Sequence, residues 1–165
     1  MDNIENLTYK ALSMFHRVDE YCHQAKSFIK VNDDVWINMK KLMDFTTSVS
    51  DNVMYGLVWK GSVPDRSPKS KYYVSYSDYH RKTYPDYLSG PAYLVPAKFA
   101  GKIVNSTLEH SITTITDDVL LTGIVADQLR IPRIHSTLFL NIKCEGNCDI
   151  YNIVSIHLDT YQKVT

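Results

Sequence analysis

Three places in the sequence carry side chains able to do chemistry. Asn32-Asp33-Asp34 follows a short apolar, β-prone run, and carboxylates at the end of a strand project into one crevice, where they suit a hard divalent cation shared with phosphate oxygens. The same residues also make a good helix N-cap, so spacing alone leaves both readings open. Asp117-Asp118 opens an apolar-periodic stretch. The unpaired N–H groups and the dipole of a first helical turn favour an ionised carboxylate, the state that a general base requires. Capping is again the alternative. His157 ends Ile153-Val154-Ser155-Ile156-His157, a predicted strand on which neutral imidazole can complete a metal shell begun by a carboxylate, or sit as an ordinary core histidine.

A fourth feature is compositional. Seven of the twelve tyrosines, Tyr72, Tyr73, Tyr76, Tyr79, Tyr84, Tyr87 and Tyr93, fall between positions 72 and 93. Such a cluster is either a platform for sugar rings, with apolar faces for C–H groups and phenols for hydroxyls, or strand and turn packing. Ser89-Gly90-Pro91 inside it predicts a tight turn. The remaining histidines show no metalloprotease or zinc-finger spacing, and no Gly-x-Ser-x-Gly, P-loop or dinucleotide fingerprint is present.

The elements that must position these residues follow from periodicity. Leu7, Ala11, Met14, Phe15, Val18 and Cys22 mark a first amphipathic helix, and Ser27 to Val31 a strand. Trp36, Met39, Leu42, Met43 and Phe45 predict a second helix, which puts the Asn32–Asp34 cluster at a strand-to-helix junction. Val53 to Trp59 is a further strand, followed by a polar, cationic loop with Lys60, Pro64, Arg66, Pro68, Lys69 and Lys71. A helix follows Pro96, another starts at Thr116 and stops before Pro132, and Thr137 to Lys143 and Ile150 to His157 are the last strand candidates. The sum is one mixed α/β domain spanning 1–165, without repeats or an internal linker.

Composition agrees. A chain of 165 residues, 44% hydrophobic and 22% charged with six Gly and six Pro, can bury roughly two thirds of its unfolded surface without disulfide staples. Eighteen basic residues balance eighteen acidic ones, so no field gathers nucleic acid or an anionic membrane. No run is long enough to span a bilayer, and Met1-Asp2-Asn3-Ile4-Glu5 lacks the basic flank and apolar stretch of a signal peptide. Cys144 and Cys148 are spaced for a small-loop disulfide or for two ordinary thiols in a turn.

Taken in order, the segments resemble the β-1,3-galactosyltransferase family of inverting, UDP-sugar-dependent enzymes. Asn6-Leu7-Thr8-Tyr9-Lys10 is similar to the family's Asn-Leu-Thr-x-Lys, and Lys30-Val31-Asn32-Asp33-Asp34-Val35-Trp36-Ile37-Asn38 to its Lys-x-Asp-Asp-Asp-Val-x-x-Asn metal motif. Pro64-x-Arg66 and Lys71-Tyr72-Tyr73-Val74-Ser75 resemble Pro-x-Arg and Lys-Trp-Tyr-Val-Ser. Tyr84-Pro85-Asp86-Tyr87-Leu88-Ser89-Gly90-Pro91-Ala92-Tyr93 resembles Tyr-Pro-Pro-Tyr-Cys-Ser-Gly-x-Gly-Tyr. Asp117-Asp118-Val119 and Ile156-His157 are similar to the acidic-Asp-Val and C-terminal Val-His motifs.

The resemblance implies a GT-A-like (Rossmann-like) mixed sheet flanked by helices and a metal-dependent single displacement that inverts the anomeric carbon. It implies that Asp34 and His157 bind Mn2+ or Mg2+ at the UDP diphosphate, that Asn32, Asp33 and Lys71 face the nucleotide and donor, and that Asp118, with Asp117 in reserve, is the general base. Tyr84, Tyr87, Ser89, Gly90 and Tyr93 would shape the pocket for donor and acceptor. The implied partners are a UDP-sugar carrying galactose or an N-acetylhexosamine and a glycan, glycoprotein or glycolipid acceptor, with a role in protein glycosylation at the Golgi membrane. Family members carry an anchor, a stem and a first βαβ segment ahead of this region, so the expectation is an N-terminally truncated catalytic domain. The sequence departs from the pattern at Asn32 (an acid in the family), Tyr72 (Trp), Leu88 (Cys) and Ala92 (Gly), and Asp118 and Gly123 are one residue further apart. These departures define a second expectation, a noncatalytic paralogue that binds glycan or serves as a partner subunit.

Overall fold

A computed structural model describes residues 4–109, 115–140 and 150–157. Cys144, Cys148 and the part of the predicted Thr137–Lys143 strand beyond Leu140 lie outside the described residues. The chain forms a mixed α/β fold in which helices flank two mixed sheets. Helix α1 (Ile4–Tyr21) leads into β1 (Ser27–Val31), β2 (Val35–Ile37), α2 (Met39–Ser48) and β3 (Met54–Trp59). After a long loop come β4 (Tyr87–Pro96) and α3 (Ala100–Thr107), then a π-helix (Val119–Val125) running into a short α4 (Ala126–Gln128). Strands β5 (Arg133–His135), β6 (Phe139–Leu140) and β7 (Ser155–His157) follow.

The larger sheet has the order β1-β4-β3-β5, the smaller β2-β7-β6. β4 is the spine of the first, antiparallel to β1 on one side and to β3 on the other. Its side chains alternate as a strand demands. Leu88, Tyr93 and Val95 enter a core beneath α1, α3 and the π-helix, while Ala92 and Leu94 join Leu42, Tyr55, Phe139 and Val154 in a second core. Phe15 of α1 meets Phe28 of β1 edge-to-face, with ring centroids 4.9 Å apart, which seats the helix on the sheet.

The structure departs from the sequence reading at several elements. The Asn32–Asp34 cluster joins two strands, not a strand and a helix. The cap of α2 is Asn38, whose side chain accepts from the Lys41 N–H at 3.1 Å, so the capping role is filled elsewhere. Ser89-Gly90-Pro91 lies within β4 and is not a turn. Pro91 sits where pairing with β3 jumps from Leu88 to Tyr93, and a ladder already interrupted tolerates a residue without an N–H. Ile150–Asn152 is a 3-10 turn, leaving only Ser155–His157 of the predicted last strand. The predicted helix after Thr116 is π-wound over Val119–Val125, and i→i+5 winding takes one more residue per turn, so it accommodates the longer Asp118-to-Gly123 spacing.

Candidate functional site

An open cleft of about 1050 Å³ runs between α1, the β1–β2 turn, the long loop after β3 and the start of the π-helix. Its lining includes Lys30, Asn32, Asp33, Tyr84, Tyr87, Gly90, Asp117 and Asp118. The sequence candidates Asn32, Asp33, Asp117, Asp118, Tyr84, Tyr87 and Gly90 are therefore brought to one place from segments up to 86 residues apart in number, Asn32 to Asp118.

Both acidic side chains are tied to the sheet. Gly90 N–H donates to Asp118 Oδ2 at 3.0 Å, and Val119 N–H donates to Asp118 Oδ1 at 2.8 Å. Gly90 leaves room for this contact, since a Cβ there would stand 3.0 Å from Asp118 Oδ2 and the carboxylate would have to give by a few tenths of an ångström. Thr122 adds a clamp, donating to the Asp118 carbonyl at 2.7 Å and accepting from Leu88 N–H at 2.8 Å. Burial, then the neighbouring Asp117, pushes the Asp118 carboxyl above its ordinary value. The Thr116 hydroxyl, the Val119 N–H and Lys30 act in the opposite direction. Asp117 Oδ2 pairs with Lys30 Nζ at 3.1 Å. The two carboxylates thus have different surroundings, and only Asp118 is held by backbone donors on both oxygens.

Asp34 and His157 also meet. Antiparallel pairing of β2 with β7 sets Val35 opposite His157, and His157 Nε2 lies 3.0 Å from Asp34 Oδ2. This pair stands next along the β1–β2 turn from Asp33, outside the lining of the cleft itself.

Other candidates are placed differently. Ser89 and Tyr93 are core residues, 7% and 0% exposed, because β4 continues through a segment that reads as a turn, and neither lines the cleft. Lys71 points its ammonium at the exposed Tyr72 ring, 4.6 Å from the centroid, and is likewise not part of the lining. Tyr84 and Tyr87 form a wall, their rings edge-to-face at 6.4 Å. Burial pushes the Tyr84 phenol up to about 12 and raises that of Tyr87, so both remain hydroxyl donors at neutral pH. The Tyr93 hydroxyl is buried without a hydrogen-bond partner. A buried orphan hydroxyl costs stability, so Tyr93→Phe is expected to raise the thermal unfolding midpoint or leave it unchanged. A fall of several degrees would mean that the phenol is bonded.

Sequence reasoning passed over Lys30 and Thr122. The signal for Lys30 was present: it is the one charged residue inside the apolar Ser27–Val31 run, and a charge within a buried strand needs partners.

Residues 1–137 match the family described as Galactosyltransferase, a span that includes Asp34, Asp117 and Asp118 and stops short of His157. The chain is 35% identical over 138 residues to a Xenopus tropicalis lactosylceramide 1,3-N-acetyl-beta-D-glucosaminyltransferase, covering 81% of this chain and 36% of that protein. The human protein of the same name is 34% identical over 135 residues (79% and 35%), and the mouse one 33% over 135 residues (79% and 36%). The chain thus spans about a third of the length of these curated relatives. With the matched span covering most of its residues and the acidic pair set in one cleft, the chain belongs to the Galactosyltransferase family.

Proposed function

We propose that this chain contributes the base and the diphosphate-facing turn of a hexosyltransferase that moves galactose or an N-acetylhexosamine from a UDP-sugar to a glycan hydroxyl with inversion. The observation that carries this reading is the single cleft with Asn32 and Asp33 on one side and Asp118, oriented by Gly90 and Val119, on the other. The relatives' names specify lactosylceramide, which favours a glycolipid ending in galactose as acceptor over a protein-linked glycan, and an N-acetylglucosamine donor over galactose. The Golgi membrane is the location that this reading carries with it. Among the described residues no helix is long and apolar enough to cross a membrane.

In this mechanism the acceptor hydroxyl donates to Asp118. The Asp118 oxygens accept from the Gly90 and Val119 N–H groups and the Thr116 hydroxyl, and the lone pair that remains takes the proton as the acceptor oxygen attacks the anomeric carbon. Attack from the face opposite UDP inverts that carbon. Tyr84 and Tyr87 offer flat apolar walls with hydroxyls to the sugars.

Among the described residues no three His, Cys, Asp or Glu side chains gather as a metal site, and the pair there that would hold an ion is one carboxylate with one imidazole. Asp34 and His157 fit that role. A carboxylate and an imidazole side by side, 3.0 Å apart, would supply two donors to such an ion and leave its other ligands to substrate phosphates and water. Asn32 does not fit as a ligand, since its Oδ1 accepts from Lys30 at 2.8 Å. When bound, Mn2+ or Mg2+ would offset charge on the departing diphosphate.

The test is calorimetric titration of the chain with UDP-N-acetylglucosamine and UDP-galactose, with and without Mn2+. Metal-dependent binding that Asp34→Asn weakens by about tenfold or more, roughly 1.4 kcal/mol, is the expected result, and binding indifferent to Mn2+ would sink the assignment of Asp34. The uncharged Asn32 favours a second reading, a noncatalytic glycan-binding member. Binding of a galactose-terminated glycan with none of either donor would establish it instead.

A further inference from the structure

Lys30 is a buried cation where the β1–β2 turn, β4 and the acidic pair meet. Its side chain is only 7% exposed, and its ammonium has three acceptors for its three protons: Asn32 Oδ1 at 2.8 Å, the Gly90 carbonyl at 2.9 Å and Asp117 Oδ2 at 3.1 Å. The Tyr93 ring lies beneath it, 5.6 Å from the ammonium to the centroid. The Gly90 residue it holds by the carbonyl presents its N–H to Asp118. One side chain on β1 therefore fixes the β1–β2 turn, the middle of β4 and one of the two carboxylates.

We propose that Lys30 is a positioning residue that divides the labour of the acidic pair, occupying Asp117 and Asn32 so that Asp118 is the carboxylate left to face the acceptor. Three features support it. Asp117 is buried with its Oδ2 turned to the Lys30 ammonium, whereas Asp118, which also lines the cleft, is only half-buried. Asn32 supplies an acceptor without charge, which leaves the ammonium matched to one carboxylate instead of two. The path Lys30 to Gly90 carbonyl, then Gly90 N–H to Asp118, sets Asp118 through a single residue. On this account the amide at position 32 serves the Lys30 cluster, whereas an acid there would bring a second anion to one buried cation.

The proposal rests on the reading of Asp118 as base, and its test separates the two. Carboxyl carbon NMR follows the titration of Asp118 in the parent chain, Lys30→Met, Asp117→Asn and the double variant. The titratable groups facing Asp118 are Asp117, Lys30, Tyr84, Tyr87 and Tyr93. Removing Lys30 is expected to raise the Asp118 midpoint. Lys30→Met leaves Asp117 buried without its partner and so is the variant at risk of not folding. The double variant lacks that orphan anion, and its comparison with Asp117→Asn gives the effect of Lys30 alone. An Asp118 midpoint that is the same in that pair overturns the proposal. Where transfer is measured, the expected signature is a fall in kcat of tenfold or more with little change in donor KM, partly restored by Lys30→Arg. A midpoint that moves while Asp118→Asn transfers sugar as fast as the parent would leave the positioning intact and remove the assignment of Asp118 as base.

Discussion

Asp118→Asn is expected to lower sugar transfer by about 10²- to 10⁴-fold, the range that a positioned general base contributes, with donor binding close to that of the parent. Asn keeps one oxygen to accept from Gly90 N–H or Val119 N–H but sets its NH2 against the other donor, so part of the loss is positional. The pH profile gives an independent check. Burial and Asp117 raise the Asp118 carboxyl above its ordinary 3.8, so kcat/KM should climb with pH through that raised value, where the base becomes ionised. Stability runs the other way. A carboxyl raised on folding contributes stability that is complete below its unfolded value and is lost as pH rises through the folded one. Unfolding midpoints of the parent should fall across this window relative to Asp118→Asn, which has no proton to lose there. Equal transfer by the two proteins would remove Asp118 from the mechanism and leave Asp117 as the candidate.

That both candidates were readable while the choice between them was not has a physical basis. The helical period exposed α1, α3 and the position of Asp117-Asp118, because buried faces repeat every three to four residues. Direction is another matter. Which carboxylate pairs with Lys30 and which receives Gly90 N–H depends on β1 and β4 lying side by side, with Lys30 opposite Tyr93, a long-range register that no local pattern encodes. β4 itself was hidden by Gly90 and Pro91, which locally signal a turn and are accommodated by a break in the β3 ladder. The pairing of Asp34 with His157 was legible only through motif resemblance. Two three-residue strands separated by more than a hundred residues are too short to announce themselves by alternation. Ser89 and Tyr93 shared a motif with Gly90 but alternate or recede into the core, since consecutive strand residues cannot all face one cleft.

Arg66→Lys is expected to unfasten the long loop between β3 and β4 although the charge is kept. Loops of this length inside a compact domain are uncommon and need an internal anchor, and Arg66 supplies it. Nη1 donates to the carbonyls of Val74 and Ser75 at 2.6 and 2.7 Å, and Nη2 to those of Tyr79 and Arg81 at 2.6 and 3.3 Å. The guanidinium also stacks on Tyr76 at 4.1 Å. A lysine ammonium is a compact charge with three donors and no plane, so it can neither span four carbonyls nor stack. Hydrogen bonds from a charged donor contribute about 1.5–3 kcal/mol each and do not add fully. A local loss of about 3 kcal/mol is therefore expected, and it should be similar for Arg66→Ala. Because the loop presents Tyr72, Val74 and Tyr84 to the cleft, the loss should reach function through donor or acceptor binding, raising KM with the pH profile of Asp118 unchanged. Amide exchange reads it directly. Val74 N–H, bonded to the Asp65 carbonyl at 2.9 Å, and Tyr79 N–H, bonded to the Ser75 carbonyl at 3.1 Å, should lose protection while β1 and β4 amides keep theirs. If Val74 and Tyr79 exchange as slowly in Arg66→Lys as in the parent, their own burial holds the loop and the guanidinium is dispensable.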